Sequence, residues 1–130
     1  MLNKVEYWLK TADEDISVAR LLLDGKKFLQ SGFFCHLIVE KSLKAFIANI
    51  TSEIPPKKHD LVKLAALAGL TDSLSEKQVA LLVDLTPLQV EARYPEYKAE
   101  IAKTLNFEIC TRLLKETEEF LCWTKEKLEK

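Results

Sequence analysis

The segment from Gln30 to Ile50 constrains the fold more than any other part of the sequence. Its apolar residues follow the period of an α-helix and cover most of the helical circumference. They are Phe33, Phe34, Leu37, Ile38, Val39, Leu43, Phe46, Ile47 and Ile50. Because a helix that is apolar on nearly all sides must be covered, this pattern indicates the centre of a bundle or a subunit interface.

Helical periodicity also covers most of the remaining chain, and no segment shows the sustained alternation of a β-strand. The further predicted helices are Lys4–Asp24, Leu61–Ala68, Glu76–Leu85 and Leu105–Glu129, with a short helical turn at Lys98–Lys103. Three long helices and one or two short ones predict an all-α fold, an antiparallel up-and-down helical bundle. The length predicts a single domain over residues 1–130.

Capping residues predict where several of these helices begin. Asn3 precedes the first helix and Asp60 precedes the third. Ser75 with Gln78 three residues later is typical of a capping box. Pro95 favours an extended Tyr94, so Arg93-Tyr94-Pro95 is interpreted as a loop.

Composition excludes several classes of function. Lys and Arg total 19 and Asp and Glu total 20, so the net charge is −1 and no global field attracts nucleic acid or anionic membrane. The 3 cysteines lack a CxxC spacing, which predicts neither a disulfide framework nor a metal site and favours a reducing cytoplasm. The longest apolar run, Leu64–Leu70, is far shorter than a membrane span, and no signal peptide is expected. We therefore expect a cytoplasmic protein with no membrane association, cofactor or metal.

His36, Glu40 and Lys44 form one row on the second predicted helix, at spacings of four residues. Apolar residues border this row on both sides, so its ionisable groups must be paired or exposed to a cleft. One interpretation is an internal Glu40–Lys44 ion pair that supports the bundle. The other is the polar floor of a ligand cleft at the bundle or dimer seam.

Two further motifs are candidates for anion binding. Lys57, Lys58 and His59 precede Asp60 at a helix start, where free amide groups favour anions. Alternatively, Asp60 only caps the helix and the lysines are solvated. Arg93, beside Tyr94, is placed to pair with a phosphate or carboxylate, or instead to form a structural bridge to Glu40 or Asp60.

Together these motifs resemble the HEPN family of small helical-bundle proteins over essentially the whole chain. The matching pieces are Trp8, Ala12 and Asp15, then His36–Ala45, His59-Asp60-Leu61 and Arg93-Tyr94-Pro95. The resemblance implies an up-and-down bundle that is usually a homodimer, with nucleotide or RNA as ligand. It also implies frequent pairing with a minimal nucleotidyltransferase.

Many HEPN members are metal-independent RNases, some of toxin–antitoxin type, in which a His follows an Arg after four to six residues. None of Arg20, Arg93 and Arg112 is followed by a His in that window. This absence argues against an RNase and favours a nucleotide-binding or partner-binding role.

The leading hypothesis is therefore a binding module rather than an enzyme. Its expected ligand-binding residues are His36, Glu40, Lys44, His59, Asp60, Arg93 and Tyr94. The cations among them would meet phosphate, and Tyr94 would stack on a base. The alternative is an RNase with a non-standard site, in which His36 or His59 is the general acid or base and Arg93 or Lys44 stabilises the developing charge. A third possibility is a non-catalytic scaffold for a nucleotidyltransferase.

Overall fold

A computed structural model describes residues 3–53, 60–90 and 94–129. In these ranges the chain forms six α-helices, and no strand is present. They are α1 (Lys4–Asp24), α2 (Phe28–Ile50), α3 (Leu61–Leu67), α4 (Glu76–Leu85), α5 (Pro95–Ala102) and α6 (Phe107–Leu128). A 3₁₀ turn at Thr86–Leu88 follows α4. The predicted all-α fold is confirmed, with three long and three short helices instead of one or two short ones.

The predicted caps are confirmed, and they fix the starts of three helices. The Asn3 side chain accepts a hydrogen bond from the Glu6 amide at 2.8 Å. Asp60 accepts from the amides of Val62 and Lys63. Ser75 and Gln78 cap each other's backbone amides. These bonds satisfy amide groups that a helix start otherwise leaves without partners.

Three helix starts differ from the prediction, and the ends of α3, α5 and α6 each lie one residue earlier than predicted. Helix α2 begins at Phe28 rather than Gln30, directly after a turn in which Lys26 has a φ of 61°. Helix α5 begins at Pro95 rather than Lys98, since the fixed φ of proline suits the first helical position. Helix α6 begins at Phe107 rather than Leu105, because the Asn106 side chain accepts from the Ile109 amide and acts as N-cap.

Helix α2 is the central element, as its all-round apolar pattern predicts. It contacts each of the other five helices and the 3₁₀ turn. Ile38, Val39 and Leu43 have no solvent-exposed surface. Their neighbours include Ala12 and Ala19 of α1, Leu61 and Leu64 of α3, Leu82 and Leu85 of α4, and Phe120 of α6. The polar row of His36, Glu40 and Lys44 lies on one side of this central helix.

The turn between α1 and α2 is short, so these two helices run antiparallel. They pair closely, because small residues lie at their contact. Ala12 and Ala19 are fully buried, and the Ser31 hydroxyl donates to the Ala19 carbonyl at 2.9 Å. None of the described helices is long and apolar enough to cross a bilayer.

Candidate functional site

The row predicted on α2 forms a connected chain of charged and polar side chains. Lys44 Nζ donates to Glu40 Oε2 at 2.8 Å, and Glu40 Oε1 lies 3.6 Å from His36 Nδ1. The exposed fraction rises along the row, from 0% for the His36 side chain to 7% for Glu40 and 15% for Lys44. The row therefore runs from the interior of the bundle to its surface.

The internal Glu40–Lys44 ion pair predicted as one alternative is present. A carboxylate with so little exposure needs a compensating cation, and the ammonium of Lys44 supplies it one helical turn away. Helix geometry alone brings the two side chains together. The charges of Glu40 and Lys44 compensate each other, and Lys44 is the most exposed side chain of the row.

Lys44 also contacts the ring of Trp8 on α1. Its Nζ lies 5.2 Å from the ring centroid, within the range of a cation–π interaction. Trp8 in turn meets Tyr7 edge-on, with 5.3 Å between ring centroids. The exposed end of the row is thus held between α1 and α2.

A second ion pair joins α1 to α2 beside the first. Lys41 Nζ donates to Asp15 Oδ2 at 2.5 Å, and both side chains are largely buried. The sequence alone assigns no partner to Asp15 or Trp8, although both belong to the motif on the first helix. The signal was the antiparallel turn, which brings the first-helix motif against the second-helix motif.

Together these residues form a half-buried surface that we call the α1/α2 face. From α1 it contains Trp8, Thr11, Asp15, Val18 and Leu22. From α2 it contains Phe33, Leu37, Lys41, Lys44 and Ala48. The face is apolar over most of its residues, and its two lysines are both paired with carboxylates.

The other predicted site residues divide into two groups. Asp60 uses its carboxylate as the N-cap of α3. Tyr94 is the residue before α5, and 82% of its surface is exposed. His59 and Arg93, with the neighbouring Lys57 and Lys58, lie outside the described residues. The structure thus brings His36, Glu40 and Lys44 together.

The cysteines do not provide an activated nucleophile in the interior. Burial raises the pKa of the Cys35 thiol to about 12, and burial also raises the pKa of Cys110. Because the thiolate is the reactive form, burial disfavours reaction of both thiols. Cys122 is exposed on α6. Within the described ranges, no group of three His, Cys, Asp or Glu side chains is placed to hold a metal ion.

Comparison with known proteins gives a family and a fold. The model of the HEPN domain matches residues 5–128. The crystal structure of TT1696 from Thermus thermophilus superposes with a TM-score of 0.80 at 18% identity, covering 97% of this chain and 99% of that one. The crystal structure of ST0689, an archaeal HEPN homologue, superposes with a TM-score of 0.62 at 19% identity, covering 98% of both chains. No curated protein matches the sequence.

Proposed function

Because the chain belongs to the HEPN domain family, we propose that it is a binding module that associates with protein partners through the α1/α2 face. The first partner is a second copy of the chain, which gives a homodimer. The observation that carries this proposal is the half-buried apolar surface shared by α1 and α2.

The physical argument starts from the composition of that face. Trp8, Phe33 and Leu37 remain partly accessible in the isolated chain. Water-accessible apolar surface of this kind is typical of protein–protein interfaces, because its removal from water favours association. In the proposed dimer α2 is covered on all sides, as its all-round apolar pattern predicts.

The charges of the α1/α2 face favour a second copy over a strongly charged partner. In a two-fold symmetric dimer each patch meets itself, so unpaired charges would face like charges. Here Asp15 is paired with Lys41 and Glu40 with Lys44. Internal pairing removes that repulsion and supports self-association.

A nucleotide is the second candidate ligand, and the exposure of Tyr94 favours it. An aromatic ring with this much exposed surface offers a platform for a base, and Arg93 is its neighbour in the chain. In this proposal Lys44 and Arg93 meet phosphate, while His36 and Glu40 hold Lys44 in place. His59 and Asp60 would contribute from the segment before α3.

The RNase alternative receives less support from the described residues. The side chain of His36 has no exposed surface, so it cannot reach an RNA phosphate in this conformation. No arginine is followed by His at the spacing of the family's RNases. That activity would have to depend on His59 and Arg93.

The homodimer is tested by the molar mass in solution, measured by light scattering for the wild type and two variants. Leu37→Glu places a charge in the α1/α2 face, and we expect it to convert a dimer to a folded monomer. Val83→Glu, at an exposed apolar position on α4, is the matched control and should stay dimeric. A monomeric wild type at tens of micromolar, or equal masses for both variants, would refute the proposal.

Nucleotide binding is tested by thermal unfolding with ATP, GTP and a short RNA. A ligand at a hundredfold its Kd adds about 2.7 kcal/mol, which raises Tm by roughly 5–15 °C for a domain of this size. The shift should disappear in Arg93→Ala. If no nucleotide shifts Tm, a nucleotidyltransferase partner remains, and co-purification of such a protein with tagged chain is the corresponding test.

A further inference from the structure

A groove between α4 and α6 lies on the other side of the bundle from the polar row. Its volume is about 470 Å³, within the range of small-molecule sites. Phe46 of α2, which packs against the groove residue Trp123, is two residues from Lys44. Two residues turn a helix by about 160°, so the groove and Lys44 lie on nearly opposite sides of α2.

The floor of the groove is apolar and rigidly held. Leu81 and Phe120 are almost fully buried beneath it. The ring of Trp123 packs against Phe46 and Phe120, with 5.5 Å between ring centroids in each case. Because these side chains are already packed, the protein loses little side-chain entropy when an aliphatic chain lies against them.

The same tryptophan already accepts an ammonium group. Lys127 Nζ lies over the Trp123 ring, 5.5 Å from the centroid. This contact is a cation–π interaction between the ring and a primary amine on an aliphatic chain. The contact shows that the Trp123 ring can be approached by an ammonium group.

The rim of the groove carries two carboxylates on the α6 side, Glu116 and Glu119, and one lysine, Lys77, on α4. Arg112 Nη1 donates to Glu116 Oε1 at 3.2 Å, so Glu119 is the carboxylate left for a ligand. Lys77 Nζ lies 3.5 Å from Glu119 Oε1, and both side chains are more than half exposed, so this pair is weak. A ligand cation can therefore compete with Lys77 for Glu119.

The start of α4 also borders the groove, but its capping makes an anion a poor fit. The Ser75 hydroxyl accepts from the Gln78 amide, and the Gln78 side chain accepts from the Ser75 amide. Glu76 adds a negative charge in the first turn. Two of the amides that would bind an anion are thus already used.

From this combination we infer that the α4/α6 groove binds an aliphatic di- or polyamine. One ammonium group pairs with Glu119, displacing Lys77, and the aliphatic chain lies along Trp123 and Phe120. This site is independent of the proposed dimer and of the proposed nucleotide site, because its lining shares no residue with the α1/α2 face or with the residues proposed to bind a nucleotide.

The test uses the two tryptophans as separate reporters in ¹H–¹⁵N correlation spectra of the full chain. Titration with 1,5-diaminopentane or spermidine should shift the indole N–H of Trp123 in a saturable way and leave that of Trp8 unchanged. 1,5-Pentanediol, the uncharged analogue, should produce no saturable shift. Equal shifts at both indoles, no shift, equal effects of the diol, or a Trp123 shift with inorganic phosphate instead would overturn the inference.

Variants then test the assigned groups. Glu119→Gln should weaken diamine binding by about fivefold, the loss of one ion pair near the surface. Lys77→Gln should strengthen binding, because it removes the competing cation. Glu100→Gln is the matched control, since Glu100 pairs with Lys103 at 3.3 Å on α5, away from any lining residue of the groove. Unchanged affinity in Glu119→Gln, or an equal loss in Glu100→Gln, would contradict the assignment.

Discussion

At the scale of single residues, Glu40 determines how the polar row is held in the interior. Its two oxygens face different groups, the His36 ring on one side and the Lys44 ammonium on the other. Removing either partner of a buried ion pair leaves an uncompensated charge, which costs more than the pair itself contributes. The row therefore behaves as one unit in mutational experiments.

We expect Glu40→Gln and Lys44→Met each to lower the free energy of unfolding, and the double variant to lower it by less than the sum. The coupling should be about 1–3 kcal/mol, because the partners are in contact and mostly buried. Chemical denaturation of the four proteins measures it. Glu100 and Lys103, each with a 73% exposed side chain, form the control cycle, whose coupling should stay below about 0.5 kcal/mol. Equal coupling in both cycles would show that the row is not a buried unit.

The thiols give a second prediction at this scale. In the native protein Cys122 should react rapidly with a disulfide reagent at pH 7–8, whereas Cys35 and Cys110 should react only after unfolding. Cys35 should stay unreactive in the native protein even at pH 9, because burial raises the pKa of its thiol to about 12 and keeps it protonated. Thiol counting with and without denaturant measures this, and more than one fast thiol in the native protein would contradict it.

At the scale of elements, the short helix α3 depends on Asp60. Its carboxylate accepts hydrogen bonds from two amides of the first turn, at 3.1 and 3.2 Å. A helix of seven residues is too short to be stable by itself, so its cap and its packing must hold it.

Asp60→Ala should lower the free energy of unfolding by about 1 kcal/mol, and Asp60→Asn should lower it much less, because Asn caps nearly as well. Urea denaturation measures both. Comparing these two variants also separates two roles of Asp60. If Asp60→Asn abolishes nucleotide binding while stability is kept, the carboxylate contacts the ligand directly in addition to acting as a cap.

The elements also show how much of the fold could be predicted from the sequence. The bounds of α1 and α4 are as predicted, because Asn3 and Ser75 are strong caps with local hydrogen bonds. The predicted start of α5 was wrong, since Pro95 both ends an extended segment and opens a helix. Local rules allow both roles of Pro95, so they leave the start of α5 open between Pro95 and Lys98.

The candidate site was predictable to the same degree. The spacing of His36, Glu40 and Lys44 predicted the row and the ion pair, because helix geometry alone places them together. It did not predict the burial of His36 or the contact of Lys44 with Trp8. The spacing of residues on one helix does not specify which residues of other helices pack against it. Those features depend on how α1 packs against α2.

At the scale of the whole molecule, protection from water is uneven. Helix α2 has twelve buried residues, whereas α5 has none. Local opening requires little energy where few apolar contacts are lost, and most where many are lost.

We therefore expect amide hydrogen exchange to be slowest in the middle of α2, at the rate set by global unfolding, and fastest among the helices in α5. Exchange measured by mass spectrometry on peptic fragments resolves these segments. A second set of samples at low protein concentration, where a dimer dissociates, should show faster exchange in α1 and α2 but not in α6. Protection of α5 equal to that of α2 would contradict the packing described here.

The short connection between α1 and α2 has a consequence for the order of folding. Contacts between neighbouring segments form early, because little chain entropy is lost in closing a short loop. Phe46, however, packs against Trp123 of α6, a helix that a ribosome completes more than fifty residues later. The hairpin of α1 and α2 therefore exposes the apolar side of α2 to water during most of synthesis. We expect chaperones to bind this surface until α6 emerges from the ribosome.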